Sequence, residues 1–101
     1  MIDRYRIIIV EEVFAELDAI HEYVKQESLQ NAEKLIERLV RDIYSLEFMP
    51  ARCPKARTRQ FPDNSDYRKL ISRPYQIFYR VDSTMKVVYI LALRHGARKP
   101  L

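Results

Sequence analysis

The chain has 101 residues, a formal net charge of +4, one cysteine and one glycine. That length suffices for one domain with its own core and excludes two self-sufficient units. A lone cysteine, Cys53, excludes an internal disulfide and points to a reducing cytoplasm. The N-terminus is charged at once and apolar for only four residues, unlike a signal peptide, and the longest later apolar run, "VVYILAL", has strand length. A cytoplasmic protein without a membrane partner is predicted. The charge is divided unevenly: residues 1–50 carry six Lys/Arg against eleven Asp/Glu, net −5, and residues 51–101 carry twelve against three, net +9. A basic half of that density suits a polyanion or an acidic protein, while the acidic half argues against an indiscriminate DNA coat.

In chain order, "YRIIIV" (5–10) is short, β-branched and apolar, and reads as a strand buried on both faces. In "EEVFAELDAIHEYVKQ" the residues Val13, Leu17, Ile20 and Val24 share one helical face, with Phe14 beside them and Glu11 and Glu12 at the positive end of the dipole. Ser28 is placed to N-cap a second helix, "LQNAEKLIERLVRDIYSLEF", whose stripe is Ala32, Leu35, Ile36, Leu39, Ile43 and Leu46. Two such helices joined by a few residues form an antiparallel hairpin with one shared apolar face. Pro50, Pro54 and Pro62 then break regular structure in a loosely extended connection. The runs "YRKLIS", "YQIFYRVD" and "VVYILALR", separated by "RP" and "STMK", suit an antiparallel meander. The fold class is α+β: an N-terminal strand, then a helical hairpin on one face of a small sheet completed by three late strands.

Several chemistries can be set aside. His21, Cys53 and His95 are the only soft or imidazole ligands and are scattered over three elements, so no metal is expected. No cofactor is expected either, because the chain lacks a glycine loop for nucleotide phosphates. Asp63, Asp66 and Asp82 are the only acids in the basic half, and Asp82 precedes a turn. His21 reads as a helix-boundary residue and Cys53 as a loop residue. The arginines stand apart, outnumbering lysines twelve to six, and Arg favours bidentate recognition. Lys55, Arg57 and Arg59 alternate, so an extended segment points them the same way, about 7 Å apart. Arg68, Arg73, Arg80 and Arg94 place a guanidinium in or beside each late strand. Metal-free RNA cleavage by the substrate's own 2′-hydroxyl is chemically open, with His95 for proton transfer and Arg68, Arg80 or Arg98 as the clamp.

A strand, a helical hairpin ending "SLEFMP", a basic loop, then "YRKLISRPYQIFYRVD" and "VVYILALRHGAR" together resemble the RelE/ParE superfamily, the toxins of bacterial type II toxin-antitoxin modules. The resemblance covers nearly the whole chain, 1–101, as one toxin domain. It implies growth inhibition, a role in plasmid stabilisation and neutralisation by a cognate antitoxin, with a possible higher-order toxin-antitoxin hetero-oligomer. RelE-like members cut mRNA on the ribosome, whereas ParE-like members poison DNA gyrase. RelE-like nucleases typically alternate cations where this chain has Arg68 and then Leu70. They typically have Arg where it has Gln76, and a tail aromatic where it has "GARKPL". The ending His95, Gly96, Arg98 resembles the ParE type, and Cys53 stands where many relatives have glycine. The resemblance thus implies a gyrase poison before a ribonuclease. Its target-binding set is Lys55, Arg57, Arg59, Arg68, Arg73, Arg80, Arg94, His95 and Arg98.

Overall fold

The isoleucine run near the N-terminus forms a strand, β1 (Arg6–Ile9), and the chain then turns directly into helix α1 (Glu11–Lys25). In this computed structural model, residues 3–56 and 66–96 are described. Helix α2 (Leu29–Tyr44) starts at Ser28, whose Oγ accepts from Asn31 N–H at 3.1 Å, satisfying an amide the first turn leaves free. Strands β2 (Tyr67–Ser72), β3 (Tyr75–Asp82) and β4 (Val87–His95) follow as an antiparallel meander. The sheet order is β1-β4-β3-β2, with β1 parallel to β4. This is the predicted α+β arrangement. Among the described residues, no helix is long and apolar enough to cross a membrane.

Both helices pack on one sheet face. Val13, Leu17, Leu39 and Ile43 meet Tyr75, Ile77, Tyr79, Val81, Val88, Ile90 and Leu93 in one core. The other face carries a small cluster of Phe78 and Ala92 with Ala56, Tyr67 and Leu91 against it. Ile90 and Leu93 lie three apart, yet both join the helical core. A bulge explains it: Phe78 pairs with Ala92 and Tyr79 with Ile90, so Leu91 is an extra residue that resets the alternation.

Two expectations need correction. Strand β1 is not buried on both faces, because the helices cover one face of the sheet and leave the other face of this strand uncovered. Arg6 is exposed, and Ile7 and Ile9 reach the core. The second helix does not run to Phe48. It ends at Tyr44 and tightens into a 3-10 turn, Ser45–Glu47, followed by another, Pro50–Arg52, with Met49 left-handed between them (φ 51°). Leu46 stays buried in the tightened turn. Arg52 holds this reversal, donating through Nη1 to the Phe48 carbonyl (2.8 Å) and through Nη2 to Ser45 Oγ (2.8 Å). At the β3–β4 hairpin, Asp82 Oδ1 accepts from Met85 N–H at 3.0 Å, the turn role predicted for it. Lys86 in the same hairpin reaches Asp3 (3.0 Å), a bond that raises the lysine's pKa and ties the hairpin to the start of the chain.

Candidate target-binding surface

The register of β3 and β4 sorts the predicted site residues into two groups. At one end of β3, Arg80 pairs with Tyr67 of β2 and Tyr89 of β4, and Arg68 pairs with Tyr79. At the other end, Tyr75 pairs with His95 and Gln76 with Arg94, close to the turn that holds Arg73. Five residues of strand separate position 75 from position 80, about 17 Å. His95 and Arg80 therefore lie at opposite ends of the sheet, a span that one guanidinium does not bridge. Arg57, Arg59 and Arg98 fall outside the described residues.

The first end is built from β2 and the segment before it. Ala56 N–H donates to the Tyr67 carbonyl (2.9 Å) and Lys69 N–H to the Pro54 carbonyl (3.2 Å), so residues 54–56 lie extended along β2, with Lys55 exposed and bridged to Arg68. Arg68 is turned inward. Its Nη1 donates to the carbonyls of Cys53 (2.6 Å) and Ala51 (3.1 Å), and its Nε lies 3.0 Å from Asp66 Oδ1, a charge contact too bent to be a hydrogen bond. With a side chain only 15% exposed, Arg68 is committed to the turn at 51–53. Arg80 is different: half-buried, with Cζ 4.5 Å above the Tyr89 ring, it offers a flat cation backed by an aromatic. Beneath this end, Tyr79 is fully buried and its O–H donates to the Pro50 carbonyl (2.5 Å). Burial, and then the hydrogen bond with Cys53, pushes its phenol far above the usual tyrosine range. Cys53 is itself buried, a loop residue as predicted.

The second end gathers around His95, whose ring meets Tyr75 edge-on with centroids 5.2 Å apart. Arg94 pairs with Glu16 of α1, and Arg73 is exposed in the β2–β3 turn, where its carbonyl accepts from Arg38 of α2. Ser72, buried, donates to Asp42 Oδ2 (2.6 Å) and accepts from Arg38 Nε (3.3 Å), so α2 clamps the turn from below. Gly96 N–H donates to the Pro74 carbonyl (2.6 Å), and a Cβ on Gly96 would sit 3.1 Å from that oxygen. Close approach, rather than a left-handed turn, is what glycine serves here.

Sequence reasoning missed Glu16, Arg38, Asp42 and Ser72. Glu16 had a signal: it lies three residues after Val13 and four before Ile20, an acid on the apolar stripe. Ser72 and Asp42 carried none, since their meeting depends on where α2 crosses the sheet. His21 Nε2 faces Glu33 Oε2 across the hairpin at 3.5 Å. Among the described residues, no three His, Cys, Asp or Glu side chains converge on a point a metal could occupy.

The family model for the ParE toxin of the type II toxin-antitoxin system, parDE, matches residues 7–100. Three solved structures share the fold. The chain is similar to the chromosomal ParDE system from P. aeruginosa, at 23% identity over 92% of this chain and 97% of that one, with a TM-score of 0.71. It is similar to the toxin-antitoxin complex RelBE2 from Mycobacterium tuberculosis, at 18% identity over 94% of each chain, with a TM-score of 0.69. The archaeal RelE-RelB complex from Pyrococcus horikoshii OT3 follows at 20% identity over 95% of this chain and 99% of that one, with a TM-score of 0.57. No curated protein matches the sequence significantly.

Proposed function

The chain belongs to the ParE toxin family of type II toxin-antitoxin systems, and from that premise we propose that it arrests growth by binding DNA gyrase and not by cutting nucleic acid itself. The observation that carries this reading is the separation along β3. A metal-free ribonuclease needs its proton carrier and its cationic clamp around one phosphate. Of the clamp candidates among the described residues, Arg68 and Arg80 lie at the end of the sheet away from His95, Arg68 is occupied by main-chain carbonyls and Asp66, and the arginine beside His95, Arg94, is paired with Glu16. A binding toxin has no such requirement. Basic and polar side chains spread over two ends of the sheet, exposed Lys55 and half-buried Arg80 at one and exposed Arg73 with half-buried Arg94 and His95 at the other, suit a broad contact with a large partner.

In the resting module, a cognate acidic antitoxin holds the toxin, folding over its cationic and apolar surface. The test is expression in a bacterial host without the antitoxin, followed by separate measurements of DNA integrity and mRNA integrity, and addition of purified toxin to a gyrase supercoiling assay. Gyrase inhibition and DNA breaks with intact mRNA are expected. Cleaved mRNA with undamaged DNA returns the chain to the RelE-like reading, and unchanged growth removes the toxin activity altogether. His95→Ala beside Arg98→Ala sharpens the result: loss with Arg98 alone leaves no part for proton transfer.

A further inference from the structure

Helix α2 sorts its charges by sign. Successive helical residues turn by about 100°, so Lys34, Arg38 and Arg41 fall within about 60° of one another, on the side of α2 away from buried Ala32, Leu39 and Ile43. Glu33 and Glu37 fall together on a separate flank. Residues 1–50 carry six Lys/Arg in all, and three of them stand in this row. The row spans about 10 Å, along an open groove of about 430 Å³ that Asn31 and Leu35 also line, with Glu37 at its rim.

The middle cation is held in place. Arg38 Nε donates to Ser72 Oγ (3.3 Å) and its Nη2 to the Arg73 carbonyl, while Ser72 donates to Asp42 Oδ2 (2.6 Å). Those bonds fix the guanidinium before any ligand arrives, and Nη1 makes no hydrogen bond among the described residues. Lys34 and Arg41, on either side, are exposed and form no ion pair among the described residues.

We propose that this row seats the phosphate backbone of duplex DNA, without regard to base sequence and apart from the cations at the two ends of the sheet. Shape favours that occupant. A straight row on a convex helix suits a ligand whose anions repeat along a line, whereas a single small anion is better held in a cavity. Duplex DNA carries one charge per about 1.7 Å of its axis, or about six over the length of the row. Single strands are gripped by stacking on aromatic rings, and among the described residues no aromatic lines this groove. Duplex RNA is recognised through 2′-hydroxyls across its minor groove, which asks for more than a row of cations. The neighbouring carboxylates confine the contact: Glu33 and Glu37 repel phosphates on their flank, so the acidic half seats DNA along one line without becoming a coat.

The seat stands whether or not gyrase is the target. To test it, the full toxin, freed of antitoxin, is titrated into a fluorescein-labelled DNA duplex of mixed sequence, with Kd from anisotropy between about 50 and 200 mM salt. A log-log slope of about −3 is expected for three phosphates, a loss of roughly 40-fold over that range. Lys34→Gln and Arg41→Gln each weaken binding by roughly three- to tenfold at the lower salt and take about one from the slope. Glu37→Gln tightens binding, and Lys25→Gln, which removes the cation paired with Glu22 on α1, leaves it unchanged. Circular dichroism checks that each of these exposed substitutions keeps the fold. Unchanged Kd and slope in Lys34→Gln and Arg41→Gln overturn the proposal, and a loss in Lys55→Gln then places DNA on the sheet. Absence of binding at the lower salt overturns it too, as does equal or tighter binding of single-stranded DNA or duplex RNA of the same length. Gyrase inhibition by the unaltered toxin is read separately and is untouched by any of these results.

Discussion

Arg68 and Arg80 sit on adjacent strands within one residue of register, and replacing each with alanine separates the frame of this protein from its contact surface. Arg68 donates two bonds to main-chain carbonyls at 51 and 53 and lies beside Asp66. A hydrogen bond from a charged group contributes about 1.5–3 kcal/mol. The two bonds share one guanidinium and do not add fully, and the contact with Asp66 is bent, so Arg68→Ala is expected to cost about 2–4 kcal/mol. Arg80 loses only a stacked contact with Tyr89, worth about 0.5–1 kcal/mol. Urea unfolding followed by circular dichroism measures both, and with a slope of about 2 kcal/mol per molar the Arg68 midpoint falls by about 1–2 M. In the same pair, Arg80→Ala retains the fold and loses gyrase inhibition. An Arg68→Ala loss below about 0.5 kcal/mol would refute the assignment of that guanidinium to the fold, because a freely solvated arginine costs no more than that.

Other outcomes follow from the same geometry. Tyr79 has its pKa raised by burial, so its contribution is complete below the unfolded value near 10. Above that pH the unfolded phenol ionises first and stability falls by about 1.4 kcal/mol per pH unit. Tyr79→Phe abolishes that part of the alkaline slope and costs about 1–3 kcal/mol at neutral pH by leaving the Pro50 carbonyl bare, as urea titrations at pH 8 and about pH 11 will show. Ser72→Ala strips Asp42 and Arg38 of their shared partner and lowers stability by about 1–3 kcal/mol, with faster amide exchange in the β2–β3 turn as the local readout. Gly96→Ala forces the Pro74 carbonyl to yield, and thermal unfolding is expected to register a loss of about 1 kcal/mol; an unchanged midpoint would show that the turn has slack.

The element order was legible because apolar residues at steps of three and four, and later in short β-branched runs, leave little choice of helix or strand. The one-sided burial of β1 was not, since three isoleucines in a row look alike whether one face of the strand is covered or both. Likewise the apolar run from Val87 to Leu93 conceals the extra residue at Leu91, because every alternation of the run is equally hydrophobic. For the surface, the choice of residue type was readable and the direction of the side chain was not. Arg68 and Arg80 look equivalent in sequence. What divides them is a pair of carbonyls exposed by an irregular turn some fifteen residues upstream, and no local pattern announces that.

The pairing of β1 with β4 also sets a timetable. Arg6 meets Val87, so the strand made first waits for the one made last, a separation of about 80 residues. At a synthesis rate of about 5–20 residues per second, that wait lasts several seconds. Such long-range closure is slow to form in any case. During this interval the helical hairpin has no sheet to cover, and neither end of β3 is framed by β4. On the proposed binding surface, a nascent toxin is therefore incomplete until its fourth strand has emerged, which gives an antitoxin made in the same cell time to be present when the finished surface first appears.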